Sequence, residues 1–222
     1  LRRSEAKSSL EALARKLLGV APPSLSILIA RIRDNEEFGA FIDLIREYVP
    51  EDERNPMIAT TYGTGELIRN ALERRVHRVI VGLGGSATVD GGRDWPEFRL
   101  PPTRVYCDVT TDLGDAARLF APQKGARPED IPVLEERLLS LGLPRGPRTG
   151  AAGGLGARLL ALGAELVDGA ESLLDALDFE GRCAGCEAVL TGEGRLDAST
   201  LEGKLPLVVA RRARRLGLPV IG

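Results

Sequence analysis

A single histidine, a single methionine, a single tryptophan and three cysteines occur in 222 residues. An odd number of cysteines in a long chain argues against a disulfide framework and fits a reducing compartment. No apolar run approaches the roughly 18 to 20 residues that cross a bilayer, and the first residues run straight into a charged helical pattern. The expectation is therefore a cytoplasmic protein. Charge of one sign is lacking too: 30 Lys and Arg stand against 32 Asp and Glu, a formal net charge of −2. No summed positive field exists to hold a nucleic-acid backbone or an anionic membrane, so any anion site must be local. Lysine is scarce, at Lys7, Lys16, Lys124 and Lys204. Each one is informative for that reason. His77, one residue into an apolar segment and away from the loops, is read as structural rather than as a general base.

What is present is ordinary for a globular chain, with 43% apolar and 28% charged residues. The length is a soft prior of about one and a half domains. Residues 4–18 carry a leucine-lined helical face with Gly19 as a stop, and Pro22-Pro23 then break the chain. Residues 24–32 and 38–45 are rich in Ile, Leu and Phe around the polar turn 34–37, which predicts a β-hairpin. From Thr60 the pattern changes to strands alternating with helices: a helix over 64–75 capped by Thr64, a strand over 76–82, a strand over 104–109, helices over 128–141 and 171–177, a strand over 187–191, a helix over 204–216 and a strand from 218. A small-residue helix opens in the segment 150–162. This order predicts an α/β fold with a mostly parallel sheet and helical crossovers. The expected division is 1–56, a helix and hairpin belonging to a second lobe, and 57–222, an α/β domain bearing the Gly-rich motifs.

The chemistry-bearing residues fall after strands or where helices begin, on the side of an α/β sheet where ligands bind. The loop 82–92 has five glycines, whose backbone N–H groups can approach phosphate oxygens, and the hydroxyls of Ser86 and Thr88. It lacks the Gly-Lys-Ser/Thr of a Walker loop, and a tight strand-to-helix turn is the alternative reading. The segment 191–197 offers Glu193, Arg195 and Asp197 beside Gly192 and Gly194. Phosphoryl transfer needs such a carboxylate and such a cation, whereas a solvated charged loop needs neither. Lys124, beside Gly125, is either a point charge for a phosphate or carboxylate, or a surface lysine. Residues 150–156 present a helix start to an anion or simply pack closely. Cys183 and Cys186 have CxxC spacing without a second ligand pair to complete a zinc site. The arginines at 211, 212, 214 and 215 read as a solvated helix end.

Taken together, the motifs resemble the glycerate kinase family of the bacterial glyoxylate and glucarate pathways. The matching positions are Asn55-Pro56, residues 60–68, the loop 84–92, Cys107-Asp108-Val109, residues 120–126, residues 150–156, and 191–197 with Gly203-Lys204. The resemblance implies two α/β lobes with the active site between them. It also implies ATP-dependent phosphorylation of D-glycerate at the 2-hydroxyl, with Mg²⁺. Carried over residue by residue, it turns Gly84, Gly85, Ser86, Thr88, Asp90, Gly192, Glu193 and Gly194 toward substrate or nucleotide, with Asp108 as a charge partner. Asp197, Arg195 and Lys124 become the catalytic candidates, and Asp108, Glu193 or Asp197 the Mg²⁺ ligands. Against the family's pattern, these 222 residues show no counterpart of its opening Asp-Ser-Phe-Lys-Gly and Ala-Asp-Gly-Gly-Glu-Gly segments or of its final strand and helix, and residues 93–103 are contracted. The expectation is a glycerate kinase whose sequence is incomplete at both ends. A competing expectation is a contracted paralogue that binds a nucleotide or small organic acid without catalysis.

Overall fold

The computed structural model describes residues 27–34, 37–44, 54–74, 76–192 and 205–222, the first two segments as backbone. The helix expected over 4–18 lies outside them. By its internal contacts the chain divides into two compact units, Leu1–Leu166 and Val167–Gly222.

In the first unit, β1 (Ile27–Asp34) and β2 (Glu37–Leu44) form the expected antiparallel hairpin, in register from Ile27 opposite Leu44 to Asp34 opposite Glu37. β2 runs parallel to β3 (Arg78–Leu83), and β3 parallel to β4 (Thr103–Cys107). Strand order is β1-β2-β3-β4-β5, where β5 is Glu165–Asp168. β2 is joined to β3 through α1 (Tyr62–Glu73). Between β4 and β5 come α2 (Ala116–Phe120), α3 (Asp130–Ser140) and α4 (Leu155–Ala161).

One connection departs from the helical-crossover expectation: residues 84–102, between β3 and β4, contain turns and no helix. Four glycines at 84, 85, 91 and 92 and prolines at 96, 101 and 102 oppose helix formation there. Trp95 and Phe98 close the connection, their ring centroids 5.8 Å apart, and both pack against the core.

One face of the apolar run of β3 is fully buried and Ile80 on the other is half-buried, as befits a strand inside the sheet. Val79, Val81 and Leu83 meet Val105 and Cys107 of β4, Ile68 of α1, and Leu155 and Leu159 of α4. A second cluster joins Val89, Leu113, Ala116, Ala117, Leu134, Leu138 and Ala157. α4 thus contributes residues to both clusters. Each fully buried leucine in them stabilises the fold by about 1.5 to 3 kcal/mol.

In the second unit, α5 (Gly169–Ala176), α6 (Phe179–Arg182) and α7 (Leu205–Arg215) accompany the parallel pair β6 (Val189–Leu190) and β7 (Val220–Ile221). Leu174, Val208 and Val209 form its core, with Ala170, Phe179 and Val189 packed around them. The basic run on α7 is not uniformly solvated. Arg212 is buried, donating from Nε and Nη2 to Glu180 and from Nη1 to Asp175 Oδ1 at 2.6 Å, and its guanidinium lies 5.7 Å from the Phe179 ring centroid. Its fork geometry explains why one arginine of the run turns inward: three acidic side chains, Glu171, Asp175 and Glu180, converge on it. The cysteines are free: Cys107 and Cys183 are buried and Cys186 is exposed.

Candidate functional site

The site is built where β3 and β4 end side by side. Leu83 pairs with Cys107, so the next residues, Gly84 and Asp108, leave the sheet as neighbours. A Cβ placed on Gly84 would sit 3.6 Å from Asp108 Oδ2, which puts the Asp108 carboxylate against the first turn of the Gly-rich loop. Asp108 and Gly85 are exposed, and Gly85 has φ +58°.

Lys124 reaches this loop from the short 3₁₀ turn Pro122–Lys124. It is not the surface lysine of the alternative reading. Only 3% of it is exposed, and Nζ donates to Ser86 Oγ at 2.9 Å and to the Thr88 carbonyl at 2.8 Å. Gly125, which ends that turn at φ +93°, approaches the Arg54 carbonyl so closely that a Cβ would lie 2.5 Å from it. A side chain at 125 would displace the turn that carries Lys124.

Asp90 closes the same loop and is 1% exposed. Its Oδ2 accepts the Thr61 N–H at 2.8 Å and the Thr61 hydroxyl at 3.0 Å. Burial pushes its carboxyl above the ordinary aspartate range. The Thr61 donors and, more weakly, the N–H groups of Gly92 and of Asp90 itself oppose that shift. Oδ1 has no partner of hydrogen-bond geometry, nor does the buried hydroxyl of Thr88. Thr61 is the N-cap of α1, and its hydroxyl serves Asp90 instead of the helix. The helix accordingly begins before the expected Thr64, which is buried inside it. Thr61 was not singled out by the sequence; a hydroxyl residue just before a helical pattern was its signal, but its partner lies 29 positions away.

The segment 150–156 packs closely against this loop. Gly153, at φ +66°, lies where a Cβ would stand 2.0 Å from the Thr88 carbonyl, and its own carbonyl accepts the Gly91 N–H at 3.0 Å. α4 has seven residues and contributes packing here. Beyond β4, Asp112 accepts Arg145 Nε and the Gly146 N–H, both at 2.5 Å, and the Gly114 N–H at 2.8 Å. Arg145 holds that carboxyl below the usual range. Arg148, with φ +70°, extends this edge by donating its N–H to the Thr110 carbonyl.

The structure thus brings Gly84, Gly85, Ser86, Thr88, Asp90, Asp108 and Lys124 to one end of the first unit's sheet. Gly192 follows β6 in the second unit and is exposed. Glu193, Gly194, Arg195 and Asp197 lie outside the described residues. Among the described residues no group of three or more His, Cys, Asp or Glu side chains is placed to hold a metal ion. Of the carboxylates named for Mg²⁺, Asp108 is the described one, exposed beside the loop. Mg²⁺ commonly takes one or two carboxylates and completes its shell with phosphates and water, so Asp108 fits as a single ligand. No described helix is long and apolar enough to cross a membrane.

The glycerate kinase family model matches residues 44–94 and 97–222, which reach into both units and include every family motif above. The chain belongs to the glycerate kinase family. It is 37% identical to glycerate 2-kinase of Escherichia coli over 82% of this chain and 62% of that protein. Glycerate kinases of Halalkalibacterium halodurans and Bacillus subtilis are 37% and 36% identical, each over 78% of this chain and 58% of theirs. The chain therefore spans about three fifths of the length of the curated relatives it matches. A solved structure of a candidate glycerate kinase 2 from Salmonella typhimurium LT2 superposes with a TM-score of 0.68 at 32% identity, covering 96% of this chain and 73% of that one.

Proposed function

We propose that this chain carries part of an ATP-dependent kinase that phosphorylates D-glycerate at the 2-hydroxyl in the cytoplasm. Family membership supports the substrate class. The observation that carries the reading within the molecule is Lys124, a buried ammonium bonded to Ser86 and Thr88 inside a five-glycine loop at the carboxyl end of β3. A fixed cation behind N–H groups that have no side chains in front of them is a binding device for phosphate oxygens.

In the proposed reaction the substrate hydroxyl oxygen forms a bond to the γ-phosphorus as the bond to the β–γ bridging oxygen breaks, releasing ADP. Gly84, Gly85, Ser86 and Thr88 line the phosphates, and Lys124 offsets their charge through the loop that it supports. Asp197 takes the hydroxyl proton, and Arg195 with Gly192, Glu193 and Gly194 faces the transferring group. Magnesium, when bound, would neutralise charge on the nucleotide phosphates, with Asp108, Glu193 or Asp197 as its candidate protein ligand. Asp90 acts within the loop, where its buried carboxylate oxygen Oδ2 accepts both donors of Thr61.

The test is glycerate-dependent ADP release in a coupled assay, with phosphorus NMR of the product to tell the 2-phosphate from the 3-phosphate. Release with a 2-phospho product is expected. Tight nucleotide binding without glycerate-dependent release would favour the non-catalytic binding module instead.

A further inference from the structure

A loop with glycines at 84, 85, 91 and 92 gains its flexibility at an entropic cost, and it binds phosphates well only if something else gives it one shape. Lys124 fixes the middle of this loop, at Ser86 and Thr88. The far end is fixed differently. Both hydrogen bonds to Asp90 Oδ2 come from Thr61, which opens α1, and α1 is anchored in the core by Ile68. Asp90 Oδ1 has no partner of hydrogen-bond geometry, so Thr61 supplies the main pairing of the buried carboxyl, with the weaker influence of the Gly92 and Asp90 N–H groups beside it. A buried acceptor that loses such donors is costly, and the loop end would shift to find replacements.

We propose that Thr61 is a positioning residue for nucleotide binding: by donating its N–H and hydroxyl to Asp90, it holds residues 84–90 in the conformation that receives the phosphates of ATP. This assignment rests on the kinase reading above for its ligand. The geometric half of it does not.

The test compares Thr61→Val, which removes the hydroxyl at nearly constant volume, with Thr61→Ser, which keeps it. In the unliganded 222-residue chain, hydrogen exchange of the amides at 84–92 should accelerate about tenfold in Thr61→Val, the loss of one hydrogen bond's worth of local stability. Thr61→Ser should exchange like the wild type. With Mg²⁺-ATP, Thr61→Val should raise the KM for ATP about tenfold while the KM for glycerate stays unchanged, and Thr61→Ser should restore it. A Thr61→Val chain that melts lower yet keeps wild-type loop exchange and ATP KM overturns the proposal and leaves Thr61 as packing. Failure of Thr61→Ser to rescue overturns it as well. Wild-type chain that neither binds nor consumes ATP would instead overturn the kinase reading and the ligand with it, while loop exchange would still report whether the Thr61 tie exists.

Discussion

At the scale of the residue, burial decides which charged groups can be removed cheaply. Lys124→Met keeps the length of the stem but deletes the donors to Ser86 and Thr88, stranding a buried hydroxyl and carbonyl. The expected loss is about 1 to 3 kcal/mol in chemical denaturation, together with weakened ATP binding by calorimetry. A variant that kept both would remove Lys124 from the loop's function. Asp90 gives a pH signature. Its folded pKa lies above its unfolded value near 3.8, so the folded chain holds the proton more tightly. That contribution is full below 3.8 and is lost as pH rises through the raised folded value. Relative to Asp90→Asn, the wild type should therefore gain stability as pH is lowered from 7 toward 4, a difference read from paired melting curves. A difference that shrank on acidification would mean that the Thr61 donors outweigh burial and hold the folded pKa of Asp90 below its unfolded value.

At the scale of the element, Arg212 ties α5, α6 and α7 together through Glu171, Asp175 and Glu180. Replacing it with Met leaves three carboxylates facing one another, and amides of α5 and α7 should lose protection in hydrogen exchange. Arg212→Lys should rescue little, because an ammonium cannot make the paired contacts to Glu180 that the guanidinium makes. Glu180 is held below its ordinary pKa of 4.5 by this arginine, so its contribution is present above 4.5 and fades as pH falls through the lowered value. The same elements show what was legible in the sequence. β3 was, because a nearly continuous apolar run marks a central parallel strand, and so were β4 and the hairpin around its polar turn. β5 was not: Glu165-Leu-Val-Asp168 is four residues with a charge at each end, too short to show a period. The inward turn of Arg212 was hidden in a run that reads as solvent-facing until its acidic partners are brought to it. The place of the Gly-rich loop, directly after β3, was legible from where the apolar run stops. The tie from Thr61 to Asp90 was invisible, because hydrogen bonds across 29 positions leave no local pattern.

At the scale of the whole molecule, a near-neutral net charge leaves the protein without a long-range field to gather an anionic ligand, so in the proposed function nucleotide affinity comes from local groups. The candidates in the first unit are the loop 84–88, the Lys124 ammonium bonded to Ser86 and Thr88, and Asp108 beside Gly84. A ligand that binds the native chain and not the unfolded one stabilises it by RT ln(1 + [L]/Kd), about 2.7 kcal/mol at one hundred times Kd. Mg²⁺-ATP in the millimolar range should accordingly raise the melting temperature of the 222-residue chain, and glycerate alone should raise it less. Added salt at constant nucleotide should diminish the shift modestly, because a buried ammonium is screened far less than exposed charges are. Lys124→Met should abolish most of the shift, whereas Arg212→Met, which touches none of the loop's described bonds, should lower the melting temperature and leave the nucleotide-induced increment in place. An increment that vanished in Arg212→Met and survived in Lys124→Met would move the phosphate site out of the Gly-rich loop and away from the end of β3.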